Sequence, residues 1–195
     1  MWNILRYLDA DSEIFHNLPE LYGENVILRK ARLSDARDMY EWCRDEEVAR
    51  FVQWRAYDSV GDAKRFLKFI RRQYKFGEPS SWVIEDRDTG KMVGTIGYMW
   101  WNREYHSAEV GYSLARGYWN RGYMTEALKL ALGFGFEKMR LNRIEAQHVS
   151  LNTASGRVMQ KCGMRREGTL RGRIYSKGKY EDMVLYAILK DDKRL

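Results

Sequence analysis

The chain has 195 residues, of which 45% are hydrophobic and 31% are charged, and its formal net charge is +7. This length and composition fit one globular domain, and no apolar run approaches the ~20 residues that a membrane span requires. The two cysteines, Cys43 and Cys162, lie far apart and form no CxxC pair, so neither a disulfide framework nor a zinc site is expected.

Residues 1–22 are predicted to form an irregular or partly helical arm, followed by a single domain over residues 23–195. The arm carries apolar side chains that could cover a neighbouring surface, namely Trp2, Ile4, Leu5 and Leu8. It lacks the basic segment, long apolar run and cleavage site of a secretory signal. Because no disulfide framework is indicated either, the expected location is the reducing cytoplasm, without membrane association.

The first half of the domain is predicted to contain strands and two helices. Alternating or continuous apolar segments predict strands at Asn25–Lys30, Ser81–Glu85, Met92–Trp101 and Tyr105–Leu114. Ser34 and Asp35 are typical helix-start residues, and a second helix is predicted over Val60–Tyr74. The segment Asp86–Lys91 contains the Asp and Gly residues that hairpin turns favour, so the strands on either side of it should be antiparallel.

The second half of the domain is predicted to alternate between helices and strands. After a loop at Ala115–Arg121, we expect elements at Thr125–Met139 (helix), Arg143–Val149 (strand), Asn152–Cys162 (helix), Arg165–Tyr175 (strand) and Tyr180–Leu189 (strand). Gly163 stands where a left-handed C-cap glycine belongs. This order predicts an α/β fold with a mixed sheet and helices on both faces, and a parallel β-α-β unit that begins at Tyr105.

The stretch EVGYSLARGYWNRGYMTEALKLAL, at Glu109–Leu132, carries the strongest chemical signal. A strand leads through a loop of small and basic residues into a helix, whose first turn offers unpaired amides and the positive end of the macrodipole. Gly122 allows a phosphate to approach the backbone, Arg121 adds charge and Thr125 adds a hydroxyl. We therefore expect a pyrophosphate site built mostly from main chain, without a P-loop or GxGxxG pattern; alternatively, the glycines only turn the chain.

This stretch resembles motif A of the GNAT acetyltransferases, in the branch that includes Rim-type ribosomal-protein alanine N-acetyltransferases and spermidine acetyltransferases. The pattern Q/R-x-x-G-x-G/A falls on residues 119–124, where Trp119 replaces Gln/Arg and Met124 replaces Gly/Ala. A second block, residues 149–164, is similar to motif B, in which Asn152-x-x-Ser155 opens a helix. Residues 163–186 resemble the G-F-x-x-E-G…G-x-x-x-D-x-x-x-Y ending of the Rim-like branch.

The resemblance implies a mixed, mostly antiparallel sheet flanked by helices, with a central parallel β-α-β unit whose two strands splay apart. It also implies that acetyl-CoA is the cofactor, with no metal, and that the pantetheine arm enters between the splayed strands. The residues implied in cofactor binding are Ser113, Leu114, Trp119, Asn120, Arg121, Gly122, Tyr123, Met124, Thr125, Asn152 and Ser155. Among them, Asn152 should contact the pantetheine arm and Ser155 should lie near the sulfur.

The implied reaction is direct attack of a primary amine, at a protein N-terminus or on a small molecule, on the thioester carbonyl. A main-chain N–H near Tyr112–Leu114 should polarise that carbonyl, as an oxyanion donor does. The amine must lose a proton, for which Glu109 is the first candidate base and Glu167 and Asp182 are the alternatives.

The leaving thiolate needs a different group. Many family members use a tyrosine on the motif B helix, and Met159 occupies that position here. Ser155 is the expected substitute. The residues predicted to take part in catalysis are therefore Glu109, Ser155 and Tyr112.

Other functions remain open at this stage. The net charge fits a polyphosphate ligand, a nucleic acid, an anionic surface or a simply solvated basic face. The C-terminal segment interleaves Tyr175 and Tyr180 with basic residues and could bind RNA, although a solvated hairpin is favoured and nucleic acid is not expected as a partner. These basic residues are Arg165, Arg166, Arg171, Arg173, Lys177 and Lys179.

The missing motif B tyrosine also allows a catalytically inactive acyl-CoA sensor. The acceptor amine is not readable, and the chain could be a monomer or a homodimer.

Overall fold

The computed structural model of the protein describes residues 13–194. The predicted contacts of Trp2, Ile4, Leu5 and Leu8 lie outside the described residues. The later part of the predicted arm packs against the domain: residues 13–16 are helical, Phe15 is fully buried, and its ring lies 6.4 Å from that of Tyr98. The division at residue 22 stays a prediction, although residues 21 and 22 already pair with the sheet.

Within residues 13–194, eight strands form one sheet in the order β1-β2-β3-β4-β5-β6-β8-β7. The strands are β1 (Leu21–Tyr22), β2 (Val26–Arg29), β3 (Ser81–Asp86), β4 (Met92–Asn102), β5 (Ser107–Leu114), β6 (Arg143–Val149), β7 (Arg165–Ser176) and β8 (Lys179–Leu189). Neighbours are antiparallel, except that β5 and β6 run parallel. The predicted α/β fold with a mostly antiparallel sheet is confirmed.

Helices flank this sheet. They are α1 (Ala36–Cys43), α2 (Glu46–Ala49), α3 (Val60–Phe76), α4 (Tyr123–Glu137) and α5 (Thr153–Lys161), with short 3₁₀ segments at Leu33–Asp35, Arg116–Tyr118 and Lys190–Arg194. The prediction missed α2, which is only one turn long and begins where the Asp45 carboxylate accepts a hydrogen bond from the Glu47 amide. Gly163, at the end of α5, has the predicted left-handed conformation, with φ of 83°. Across the described part of the chain, no helix is long and apolar enough to cross a membrane.

One part of the core lies between the sheet and α4, and residues of α1 and α3 belong to the same buried cluster. Trp82 of β3 and Tyr98 of β4 are fully buried, and the Trp82 ring meets the Phe134 ring of α4 edge-on at 5.0 Å. The buried Tyr98 hydroxyl donates to the Ala131 carbonyl, also on α4, at 2.8 Å, so its polar atom is satisfied. This packing fixes α4 on the face of the sheet that carries Trp82 and Tyr98.

The parallel strands β5 and β6 stay together for only three residue pairs. Ser107–Glu109 pairs with Arg143–Glu145, and beyond that point the two strands separate. Each strand keeps its other neighbour, since β5 pairs with β4 as far as Leu114 and β6 pairs with β8 as far as Val149. The predicted splayed strands are therefore confirmed, and a gap opens between Val110–Leu114 and Ala146–Val149.

A β-bulge in β4 lies beside the start of this gap. Tyr98 pairs with Val110 and Trp100 pairs with Glu109, so Met99 is an extra residue in β4. Because side chains alternate between the faces of a sheet, the extra residue moves Trp100 from the face that carries Tyr98 to the opposite face. The sequence pattern did not indicate this bulge.

A buried ion-pair cluster joins the start of α1 to the sheet. Arg29 of β2, only 3% exposed, donates to both carboxylate oxygens of Asp35 at 2.8 and 2.9 Å and also to Glu85 of β3. Buried charges are stable only when paired, because removing one partner leaves the other without compensation. The Asp35 carboxylate also accepts from the Arg32 amide at 2.7 Å, so it orders the segment that leads into α1.

We expect Asp35→Ala to lower the free energy of unfolding by about 3 kcal/mol, since it leaves the buried Arg29 guanidinium with one carboxylate instead of two. Urea denaturation followed by circular dichroism measures the change. Glu47→Ala is the matched control, because Glu47 forms an exposed pair with Arg50 and its loss should cost less than about 0.5 kcal/mol. Equal losses in the two variants would contradict the role of the cluster.

Candidate active site

The loop between β5 and α4 has the geometry of an anion site. Gly122 is the N-cap residue of α4 and has φ of 86°, a left-handed conformation that glycine adopts without strain. A Cβ atom placed on Gly122 would meet nothing within 4 Å, so the space above its backbone is open. Within residues 13–194, no protein group accepts a hydrogen bond from the amides of residues 121–125. These amides stand at the positive end of the α4 macrodipole and can bind an anion.

A buried carboxylate holds this loop in place. Asp86, at the end of β3, accepts hydrogen bonds from the hydroxyls of Tyr123 at 3.0 Å, Tyr118 at 3.2 Å and Thr89 at 2.6 Å. Burial alone would raise the pKa of Asp86, but these donated hydrogen bonds outweigh it and hold the pKa below its usual value. Asp86 is therefore ionised at neutral pH. Sequence reasoning assigned Asp86 only to a hairpin turn.

The two tyrosines in turn position the loop cation. The Tyr118 and Tyr123 rings lie 5.0 Å apart, and the Arg121 guanidinium sits 5.2 Å from the centre of each. Such cation–π contacts hold a guanidinium without neutralising it, so the positive charge stays available to an anion. The side chains of Tyr123 and Met124 are buried, so these two predicted residues present only their backbone amides to the loop surface.

Trp119, which departs from the motif A pattern, closes the loop onto the end of β5. Its indole Nε1 donates to the Leu114 carbonyl at 2.8 Å. The neighbouring Ala115 amide donates to Val93 of β4 at 2.8 Å. Because amides along an antiparallel strand alternate in direction, the Tyr112 and Leu114 amides point away from β4 and into the gap. These are the amides expected to polarise a carbonyl.

Two further predicted cofactor-binding residues are Ser113, near the end of β5, and Asn120, in the loop between β5 and α4. Ser113 pairs with Thr95 of β4 and lies on the opposite face of β5 from Tyr112 and Leu114. Asn120 has φ of 59°, a conformation that asparagine tolerates better than most residues, two positions before the left-handed Gly122. Thr125 lies in the first turn of α4, where the Cys162 thiol donates to its carbonyl at 3.4 Å.

The motif B residues meet β5 from across the gap. The Asn152 side chain caps α5 by accepting from the Ser155 amide at 3.3 Å, as the sequence predicted. The Tyr112 hydroxyl lies 3.0 Å from Ser155 Oγ and donates to the Ser155 carbonyl at 3.2 Å. Burial raises the pKa of Tyr112, so the phenol keeps its proton at neutral pH. The structure therefore joins two predicted catalytic residues through a hydroxyl contact that the sequence did not indicate.

Glu109 lies where β5 and β6 part, and its surroundings differ from those of the two alternative bases. It accepts from Trp100 Nε1 at 2.9 Å and from Gln147 Nε2 at 3.0 Å, both neutral donors. Among residues 13–194, Glu109 forms no ion pair with a cationic side chain. Because Glu109 and Tyr112 are three residues apart on one strand, their side chains lie on opposite faces of the sheet.

Glu167 and Asp182 have structural partners instead. Arg143 donates to both oxygens of Glu167, one of them at 2.8 Å, and these hydrogen bonds hold the pKa of Glu167 below its usual value. Asp182 accepts from the Gly172 amide at 2.7 Å and stabilises an irregular segment of β7. Glu109 stays the first candidate base as a prediction, since Glu167 and Asp182 each take part in a structural contact.

Several basic residues of the C-terminal hairpin already have protein partners. Lys179 pairs with Glu181 at 2.7 Å, Arg165 pairs with Asp192 at 2.9 Å, and the Lys177 ammonium donates to the Ala49 carbonyl of α2. Tyr175 and Tyr180 form an exposed cross-strand pair with ring centres 5.0 Å apart. Two of the six basic residues predicted as a possible RNA surface are therefore paired with carboxylates.

Comparisons with known proteins give matches over most of this chain. A family model described as an acetyltransferase (GNAT) domain matches residues 25–165. The uncharacterized N-acetyltransferase p20 of Bacillus licheniformis is 31% identical, over 87% of this chain and 96% of its own length. The ribosomal protein uS5-alanine N-acetyltransferase of Escherichia coli is 23% identical, over 88% of this chain and 97% of its own. The crystal structure of a GNAT-family acetyltransferase from Bacillus anthracis superimposes with a TM-score of 0.79 at 28% identity, covering 89% of this chain and 99% of that one.

We expect Gly122→Glu to weaken coenzyme A binding by more than about tenfold, because a carboxylate would then stand where the helix terminus attracts a phosphate. Isothermal titration calorimetry measures the dissociation constant. Gly122→Asn is the matched control, since asparagine tolerates the left-handed conformation and adds no charge, and it should lose less affinity. A folded Gly122→Glu variant with unchanged affinity would contradict the assignment of this loop.

Proposed function

This chain belongs to the GNAT acetyltransferase family and is an acetyl-CoA-dependent N-acetyltransferase, and we propose that its acceptor is the α-amino group of a protein or peptide. The observation that carries the proposal is Glu109, an ion-pair-free carboxylate at the point where β5 and β6 separate. The similarity to an enzyme named for acetylating an alanine of ribosomal protein uS5 supports the same acceptor class.

The strength of the base that each acceptor needs favours an α-amine. An α-amino group has a pKa near ~8, so its neutral form at pH 7 costs about 1.4 kcal/mol. A lysine side chain, near ~10.4, would cost about 4.6 kcal/mol by the same reasoning. Carboxylates as a class are weak bases, and a weak base is sufficient only for the first of these acceptors.

The cofactor contributes an acetyl group already activated as a thioester. In the proposed complex, the amides of residues 121–125 and the Arg121 guanidinium hold the diphosphate, and the gap between β5 and β6 receives the pantetheine arm. The Tyr112 and Leu114 amides line that gap and are the proposed donors to the thioester carbonyl oxygen, on which negative charge develops. The residues that line the gap thus bring amine and thioester together, which can contribute several kcal/mol to the rate.

Removal of the amine proton and stabilisation of the leaving group take place on opposite faces of the sheet in this proposal. Glu109 takes the proton of the incoming ammonium group on one face. On the other face, the Ser155 hydroxyl donates a hydrogen bond to the departing sulfur, which leaves as the thiolate. Burial raises the pKa of Tyr112, so the phenol stays protonated and positions Ser155 through its hydroxyl contact.

We expect the purified protein to release free thiol from acetyl-CoA when given a peptide with a free N-terminal alanine. The same peptide with a blocked N-terminus and one lysine should react at least about 100-fold more slowly, because its amine is harder to deprotonate. Spermidine and an aminoglycoside complete the panel. Faster turnover of either small amine would overturn the acceptor proposal, and acetyl-CoA binding without turnover on any amine would favour an inactive sensor.

Tyr112→Phe removes the hydroxyl that contacts Ser155 and keeps the buried ring. We expect both Tyr112→Phe and Ser155→Ala to lower kcat, by up to about 100-fold, with little change in the dissociation constant for coenzyme A. Because the two groups act in series, the double variant should lose little more than either single variant. Steady-state kinetics test this, and losses that multiply in the double variant would contradict the proposal that Tyr112 acts through Ser155.

A further inference from the structure

The Glu109 carboxylate is held through one of its two oxygens. Trp100 Nε1 at 2.9 Å and Gln147 Nε2 at 3.0 Å both donate to Oε2. In the described part of the chain, no donor is within hydrogen-bonding distance of Oε1. We infer that Trp100 and Gln147 are positioning residues that fix this carboxylate so that Oε1 accepts the proton of the acceptor amine, an inference that rests on the proposed role of Glu109 as base.

The two donors come from the strands on either side of β5. Trp100 lies directly across from Glu109 on β4, and Gln147 lies on β6, two residues after Glu145, the register partner of Glu109. Residues two apart on a strand share a face, so Gln147 reaches Glu109 from the separating part of β6. Contacts from both neighbours restrict rotation of the carboxylate, and a rigid base loses less entropy when the amine must be aligned.

The β4 bulge at Met99 makes the Trp100 contact possible. In a regular strand, Trp100 would share a face with Tyr98, whose side chain is buried against α4. The extra residue turns the indole to the face of Glu109, and Trp100 remains 37% exposed there. Bulges commonly re-aim a side chain beside an active site in this way. The bulge therefore places Trp100 where its indole can donate to Glu109, the proposed base.

The charges around Glu109 support the same role. Its register partner Glu145 is neutralised by Arg143, whose Nε donates at 2.6 Å and whose other nitrogens bind Glu167. The Arg143 guanidinium is thus bound by other carboxylates, and the hydrogen-bond donors to Glu109 are the uncharged Trp100 and Gln147. An arginine or lysine in their place would compete with the cationic amine for the carboxylate. Neutral donors fix the geometry without removing the negative charge that attracts the amine.

The test compares Gln147→Leu and Trp100→Phe in the full-length protein, with the N-terminal alanine peptide and acetyl-CoA as substrates. We expect each to lower kcat by about tenfold while the dissociation constant for coenzyme A and the thermal midpoint change little. Gln73→Leu is the matched control, since the Gln73 side chain accepts a hydrogen bond from Ser80 and contacts neither Glu109 nor its two donors among the described residues, and the kcat of this variant should be unchanged.

A double-mutant cycle separates positioning from a general structural effect. In a Glu109→Ala background, where no carboxylate remains to be oriented, Gln147→Leu and Trp100→Phe should cause no further loss. Tenfold losses that persist in that background would overturn the inference. A wild-type kcat in both Gln147→Leu and Trp100→Phe would also overturn the inference. If the kcat of Glu109→Ala is low in the same experiment, the proposed function still stands. Full activity of Glu109→Ala would refute the base itself, which is a distinguishable result.

Discussion

The separation of β5 from β6 after Glu109 is the constraint on which the rest of the site depends. Two parallel strands that begin as hydrogen-bonded neighbours would normally satisfy each other's backbone groups along their whole length. Here each strand is supported by its antiparallel neighbour, so the sheet stays intact while the inner edge of Val110–Leu114 is left without strand partners. Backbone amides that face such a gap need acceptors, and in the proposed complex the thioester and the amide-containing arm of the cofactor supply them.

The same separation divides the chemistry between the two faces of the sheet. Strand alternation places Glu109 on one face and Tyr112 on the other, although they are only three residues apart. Tyr112 meets Ser155 of α5, while Glu109 meets Trp100 and Gln147. One strand thereby presents a proposed base on one face and, on the other, the phenol proposed to position Ser155.

Charge pairing decides which groups are structural and which are available. Arg29, Asp35 and Glu85 are buried together and join the sheet to α1, and Arg143 binds both Glu145 and Glu167. Asp86 is held by hydroxyls and orients the two tyrosines beneath Arg121. Arg121 and Glu109 likewise contact aromatic rings or neutral donors instead of an opposite charge. They are also the two groups proposed to meet the phosphates and the amine.

The sequence by itself determined the features that depend on a few consecutive residues. The strand, loop and helix around Gly122, the Asn152 cap of α5 and the order of the later elements follow from local signals, and these carried the family resemblance. The structure confirmed the sheet type and the splayed strands. The short helix α2 escaped prediction because a single turn leaves too little periodicity to detect.

Only the tertiary structure decided which side chains meet. Trp100 and Glu109 are 9 residues apart, Glu109 and Gln147 are 38 apart, and Tyr112 and Ser155 are 43 apart. These contacts depend on strand register and on one extra residue at Met99, and a shift of one residue would turn each side chain to the other face. Register is set by the packing of the whole sheet, so no local pattern could have indicated how the carboxylate is held.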